Sequence, residues 1–442
     1  LHLVAQGGDA RRGQIGLLAQ AGEVVARVRL ESEHANGQPA LPGLLPQPLH
    51  HGLMATVYAI EIANGQCTGR RREAVQAAVD FHGGVLSALM SIPVERSSLS
   101  PVALSTVARI GRGIGWGWVL LSLPVAWWDM QGRWLVPGRE WVSLVKLWIY
   151  WGTWAVLPLL IEIGAQLWRK PRFWAAWLWA GLLLLVAYSG LVEPRLLQVH
   201  THHIRVQQVA HAVLVQPLRI ALVSDIHVGL FVRPWQLKRL VAAINAQEVD
   251  AVVVTGDWTY EPENDLHAVL EPLKQLRRPV FGVLGNHDTQ APGPDLEEPL
   301  RQTLQQLGVQ LLEGKSHTFK GWELVGLSDL WGGSPRQDIA QLLQQPATLP
   351  RLVLMHQPDT AALLPPAASA TVMVSGHIHG GQIRLPWVTR NRVLPGMSRY
   401  GWYEGQYATP AGDLFVTAGT GMIGLPARLG VMPRVDVITL AP

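Results

Sequence analysis

The chain has 442 residues, 48% of them hydrophobic and 15% charged, which excludes wholesale disorder and leaves room for two or three domains. A lone cysteine, Cys67, excludes an intramolecular disulfide framework and a cysteine-ligated zinc cluster, so any metal must be held by His, Asp, Glu or Asn. The net charge of +4 divides into +5 over residues 1–200 and −1 over 201–442, so the C-terminal half has no basic field for nucleic acid and no such partner is expected.

Residues 1–110 are rich in Ala, Gly, Gln and Arg, with a turn-prone stretch at 40–43 and a short helix-like patch at 70–79. No chemistry is legible there, and no cationic start leads into the apolar core of a secretory leader. Residues 111–193 read as an all-α transmembrane region of about three helices, built on apolar runs at 114–128, 141–167 and 173–192. A crossing helix needs roughly 20 residues, so the second and third runs qualify and the first is marginal. Thirteen of the 19 tryptophans fall between Trp116 and Trp179, the clustering expected at a membrane interface. Lys146 and Glu162 lie near the ends of the second run, where long side chains can reach that interface. The basic connection Arg169-Lys170-Pro171-Arg172, with Arg109 and Arg112 before the first run, assigns that side to the cytoplasm. The third span then delivers all that follows to the extracytoplasmic face.

A linker over 194–216 leads into 217–442, where the texture changes. Short apolar runs at 218–224, 251–255, 280–284, 324–327, 352–355 and 371–374 read as buried strands, and 235–247 has helical spacing in Leu237, Leu240, Val241 and Ile244. Strands alternating with helices predict a layered α/β domain with polar residues presented at strand ends.

Those ends are uniform in what they carry. In order they are Asp225-Ile226-His227, Gly256-Asp257, Gly285-Asn286-His287-Asp288, His356 and Gly376-His377-Ile378-His379. Singly, each has an ordinary explanation as a turn, a helix cap or a hydrogen-bonded structural histidine. Five in succession, each after a buried strand, point to one site. Carboxylates, imidazoles and one amide oxygen suit Mn, Fe or Zn better than Mg or Ca, and four His, two Asp and one Asn exceed the needs of a single ion. Two divalent metal ions sharing a carboxylate fit the inventory.

These motifs resemble the ordered signature of the calcineurin-like metallophosphoesterase superfamily: DxH, GD, GNHD, a lone His and GHxH. The extension Gly380-Gly381-Gln382 and the segment Leu425-Pro426-Ala427-Arg428-Leu429-Gly430 look like its membrane-associated bacterial branch. The resemblance covers about 215–442 and implies a metallophosphoesterase-type β-sandwich flanked by helices, in a multi-pass protein of a bacterial inner or plasma membrane. It implies Asp225, His227, Asp257 and His379 on one metal, with Asp257, Asn286, His356 and His377 on the other, and Asp257 as the bridge. Such ions stand roughly 3.5–4 Å apart and clamp a phosphoryl group for in-line displacement. His287 would stabilise the transition state or protonate the leaving oxygen, with Asp288 either orienting it or serving a structural role. Ile378, where many relatives have Thr, and Trp258 depart from the pattern without removing a ligand.

The function implied is hydrolysis of a phosphoester, possible substrates including lipid-linked ones. Two competing readings are a non-catalytic scaffold, which would ordinarily have lost His287 or several ligands, and a sensor or transporter, for which Lys146 and Glu162 are too few to outline a path. One further feature concerns residues 384–403, where Arg384, Arg390, Arg392 and Arg399 are interleaved with Trp387, Tyr400, Trp402 and Tyr403. One reading is a long surface connection whose arginines are solvated; the other, since the composition suits a lipid–water boundary, predicts a loop lying over the metal site.

Overall fold

The computed structural model describes residues 100–170, 173–206, 216–289, 296–344, 348–366 and 370–441. The patch expected at 70–79, and Pro171 and Arg172 of the basic connection, lie outside the described residues.

Two mixed six-stranded sheets pack face to face. The first has the order β1 (Gln198–Arg205), β14 (Arg434–Ala441), β2 (Leu218–Val223), β4 (Ala251–Thr255), β6 (Val280–Val283), β7 (Val309–Leu311). The second has the order β12 (Gly405–Thr409), β13 (Gly412–Val416), β11 (Thr371–Ser375), β10 (Arg351–Leu354), β9 (Trp322–Gly326), β8 (Lys315–Phe319). In the first, β2, β4, β6 and β7 are parallel neighbours; in the second, β13, β11, β10 and β9 are; β3 (Val228–Gly229) and β5 (Thr259–Tyr260) pair separately. Every residue of β4, AVVVT, is buried, because a parallel strand covered on both faces needs a continuous β-branched run. Leu222, Val253 and Phe281 of one sheet meet Leu324, Leu352 and Val374 of the other.

Helices cover the outer faces. α5 (Pro234–Asn245) and α6 (Glu297–Gln306) lay Leu237, Leu240, Ile244, Leu300 and Leu304 against the first sheet, and α7 (Pro335–Leu342) packs Ile339 against Met355 and Met373 of the second. Each such side chain contributes about 1.5–3 kcal/mol by leaving water, so an aspartate at Leu240 would open the first helix–sheet interface. The result is the layered α/β domain the alternating pattern predicts, in the form of the helix-flanked sandwich the resemblance implies. β1 lies within the 194–216 segment expected as a linker. Its sequence, QVHTHHIR, buries only Ile204 fully, so no apolar alternation marks it. Parallel pairing with β14 makes it a strand.

Ahead of the sandwich stand α1 (Pro101–Met130), α2 (Glu140–Gly152), α3 (Val156–Arg169) and α4 (Trp174–Ala187). Ser100 caps α1 by accepting from Ala103 N at 3.1 Å, with proline in its first turn. Two continuous helical stretches, Glu140–Arg169 and Trp174–Arg195, are long and apolar enough to cross a membrane, and 17% of each apolar window is buried within the protein. α1, the marginal first run, falls short of that apolarity.

The two ionisable residues of the second run do not reach for an interface. Glu162 is buried, accepting from Arg112 Nε at 2.7 Å and Gln166 Nε2 at 2.8 Å. Lys146 Nζ binds Tyr260 Oη and, at 2.9 Å, Glu261 Oε1 of the sandwich. Packing turned these faces inward, where an ion pair replaces water. The layer docks through Ala126, Leu147 and Tyr150 against Leu230, Phe231 and Val232. Asp129 is shared by Arg133 and Arg233, and the buried Arg133 reaches Glu263 at 3.2 Å.

Candidate metal centre

All the motif residues stand at C-terminal strand ends on one edge of the sandwich. β2 delivers Asp225 and His227, β4 Asp257, β6 Asn286 and His287, β10 His356, and β11 His377 and His379. Asp225, His227, Asp257, His377 and His379 have φ between 52° and 69°, five of the nine non-glycine residues with positive φ among the described residues. Left-handed backbone costs energy for a side chain bearing Cβ, and here it turns consecutive side chains into a common space. The glycines are there for proximity: a Cβ at Gly376 would stand 1.9 Å from Ser224 Oγ, and one at Gly285 2.3 Å from Asp257 Oδ1.

Two sets of ligand-type atoms result, Asp225 with His227 and His379, and Asp257 with His356 and His377, each within 4.8 Å internally. In the first set the His227 and His379 rings stack at 5.0 Å with Nε2 atoms 3.1 Å apart, and Asp225 Oδ1 is 3.3 Å from His379 Nε2. In the second, His356 Nε2 is 3.2 Å from Asn286 Oδ1, from His377 Nδ1 and from Asp257 Oδ2. His356 Nδ1 faces the Thr255 carbonyl at 2.8 Å, which requires its proton there, so that the neutral ring offers its lone pair to the cluster through Nε2. Asp257 Oδ2 also lies 3.5 Å from His227 Nε2, so one carboxylate oxygen faces both sets. Convergent lone pairs in a buried space are the arrangement that fits a divalent cation.

The charge balance agrees. Burial, helped by the neighbouring imidazoles and opposed by Asp257, pushes His227 and His377 down to about 3, the neutral form a metal takes. Burial would do the same to His356, but the carboxylates of Asp257 and Asp225 raise it to about 10. Burial and Asp257 raise Asp225 to about 6. Burial opposes the ionised Asp257, yet His356 and His287 hold it well below the usual carboxylate range. Metal-free, the site borrows a proton on His356 to balance its carboxylates.

His287 and Asp288 part company. The His287 ring lies edge-on to His227 at 5.4 Å and to Tyr260 at 5.1 Å, and its backbone N–H donates to Asp257 Oδ1 at 2.9 Å. Of the two roles open to Asp288, its contacts match the structural one: it accepts from Trp258 N, Thr259 N, Thr259 Oγ1 and Gly285 N at 3.0–3.1 Å. A buried carboxylate answers the nearest free N–H groups, and here it ties the turns after β4 and β6 together.

Other residues came into view only in three dimensions. Arg428, fully buried, donates to the carbonyls of Gly421, Val431 and Ala418, with Nη2 3.4 Å from His379 Nδ1. Its one sequence signal was membership of the 425–430 segment. Trp331 sets its ring edge-on to His377 at 4.7 Å. A cavity of about 570 Å³ opens in front of Asn286 and His287, and its far wall is α2 with the turn before it. The 384–403 segment lines none of it. Leu394 packs in the cluster of Ile378, Asp359 accepts from Ser398 Oγ and Arg399 N, Arg384 pairs with Glu404, and Arg392 stacks on Trp387. A third group, His200, His202 and Asp436, is a satisfied ion pair, since Thr417 Oγ1 and Arg434 Nε occupy Asp436 Oδ2.

The calcineurin-like phosphoesterase profile matches residues 218–381, the stretch carrying every one of these strand ends. An uncharacterized metallophosphoesterase of Bacillus subtilis, YkuE, is 31% identical over 264 residues, covering 57% of this chain and 88% of that protein. The chain belongs to the calcineurin-like phosphoesterase family. The Escherichia coli phosphodiesterase YaeI is 30% identical over 233 residues, 51% of this chain and 82% of its own length. A Danio rerio relative described as a transmembrane protein with metallophosphoesterase domain is 29% identical over 50% of this chain and 53% of itself. That family is one of phosphoester hydrolases. Its two His/Asp clusters are where divalent cations would be held.

Proposed function

We propose that the chain is a membrane-anchored, dimetal phosphoesterase. Asp225, His227, Asp257 and His379 hold one divalent ion, and Asp257, Asn286, His356 and His377 the other, with Mn, Fe or Zn favoured by the mixed N/O donors. The observation that carries this is Asp257 Oδ2, which faces His227 Nε2 and His356 Nε2 at 3.5 and 3.2 Å. Bound there, two such ions supply Lewis acidity and a lowered pKa for water beside the phosphorus. His287, on the cavity wall, serves the leaving oxygen as a proton donor or hydrogen-bond donor. Asp288 fixes the turn that presents Asn286 and His287, and Arg428 holds the segment behind His379. The substrate is a phosphoester, with lipid-linked esters favoured by the helical layer.

The membrane assignment is supported by the two apolar stretches and by the described transmembrane relative. Arg109, Arg112, Arg169 and Lys170 line one cavity at the end of α1 remote from the sandwich. Cations gathered at that end favour a cytoplasmic side there and an extracytoplasmic catalytic domain.

The test is metal analysis of the purified full chain together with hydrolysis of bis(4-nitrophenyl) phosphate. Two ions per chain and metal-dependent turnover are expected. Turnover that survives complete metal removal would overturn the assignment. For topology, a reporter active only outside the cytoplasm, fused after Pro442, should give signal, and a working cytoplasmic reporter there would reverse it.

A further inference from the structure

The cavity before Asn286 and His287 has two dissimilar walls. The sandwich supplies the candidate catalytic side, with Tyr260, Glu261 and Trp331 beside those residues. The other wall is α2 and the turn before it, through Arg139, Trp141, Val142 and Lys146. Val142 and Lys146 are four residues apart and share a helix face. Trp141, Val145 and Trp148 share the next face, which is exposed, Trp141 by 67%. The helix that roofs the cavity therefore presents an apolar, indole-bearing face outward right beside it, and it begins a stretch apolar enough to cross a membrane.

The roof is also cationic where it faces the candidate ligands. Lys146 uses two of its three N–H groups on Tyr260 and Glu261, which leaves one donor. Arg139 makes no ion pair among the described residues. Glu261, buried and lining the cavity, keeps Oε2 without a hydrogen-bond partner, so the polar network of this wall is incomplete as it stands. Two exposed indoles, Trp141 and Trp331, flank this polar interior. Inside, Lys146 is paired with Glu261, and the unpaired Arg139 stands exposed at the mouth between the indoles; this arrangement matches a molecule with an anionic head and an apolar tail.

We propose that α2 completes the active site: Arg139 and Lys146 receive the anionic head of an amphiphilic phosphoester, and Val142 and Trp141 carry its alkyl chain. This rests on the phosphoesterase reading and assigns its substrate class. It transfers the lipid-facing role from the 384–403 segment, which does not line the cavity, to the helix that does.

The test uses octylphosphonate and butylphosphonate, which cannot be hydrolysed, binding to the full chain in phosphatidylcholine nanodiscs, measured by calorimetry. Burying one methylene is worth about fourfold in affinity, so incomplete burial of the four extra ones predicts at least tenfold tighter binding of the octyl compound. Trp141→Glu should collapse that ratio towards the value for empty nanodiscs. Arg139→Gln should weaken both compounds at least fivefold, with Arg139→Lys restoring most of the loss. Arg139 is exposed and carries no packing duty, so this variant reads the cation even if Lys146→Gln misfolds. A chain-length ratio unchanged in Trp141→Glu, or affinity unchanged in Arg139→Gln, overturns the proposal. Hydrolysis of bis(4-nitrophenyl) phosphate by the same preparations separates the two readings. Binding as expected without hydrolysis would fail the phosphoesterase and keep the amphiphile site. Hydrolysis without the expected binding pattern would do the reverse.

Discussion

The two walls of the cavity were built by different means. The sandwich wall is local: each candidate ligand follows a buried strand by two to four residues, and at five of the seven left-handed backbone turns the side chain inward. The helical wall is made of long-range pairs, Lys146 with Glu261, Arg133 with Glu263, Arg233 with Asp129, in which neither partner is marked by its neighbours. A catalytic inventory can therefore be read along a chain, while the surface that selects a substrate depends on how two layers meet.

The sharpest way to break the sandwich wall is Asp257→Asn. Without the charge that faces both clusters, at least one metal should be lost and hydrolysis reduced to the background of metal-free protein. Two ions retained with normal turnover would remove Asp257 from the bridging role. His287→Asn should separate chemistry from metal binding, leaving metal content intact while turnover falls by the ~10²–10⁴-fold typical of a lost acid–base group. Metal loss in that variant would make His287 a ligand.

The contact between the walls is tested by Arg133→Ala. Its buried guanidinium bridges Asp129 and Glu263, and removing one partner of such a network costs about 3 kcal/mol. Limited proteolysis should then cut the turn between α1 and α2 faster while metal content stays the same. Unchanged protection would mean that apolar packing alone holds the layers together.

The mildest probe is pH. His356 is raised from 6.5 to about 10 in the metal-free protein. Its contribution to metal-free stability is thus full below about pH 6.5 and lost as pH rises through 10. Metal must displace that proton, so at pH 7.5 calorimetry in buffers of different ionisation enthalpy should show about one proton released at this cluster. Affinity should fall about tenfold per pH unit on going down from pH 9 to 7. Below about 6 the proton on Asp225 adds to the loss. Metal affinity independent of pH between 7 and 9 would mean His356 is already neutral.

Much of the sandwich and its site was decided by the chain's own pattern. Runs such as AVVVT cannot be satisfied except as covered strands, and Asp225, Asp257, Asn286, His356, His377 and His379 stand at fixed short distances beyond them, so strand formation and ligand placement are one event. Tertiary structure alone decided the rest. β1 became a strand only because β14 offered an edge, and Asp288 turned to the backbone of Trp258, Thr259 and Gly285 because those N–H groups lay within reach. Lys146, a charge in an apolar helix, gives along the sequence no indication of its partner. It meets Tyr260 and Glu261, more than a hundred residues on, because α2 docks on the open edge of the sandwich, and the energy of that docking belongs to both surfaces at once.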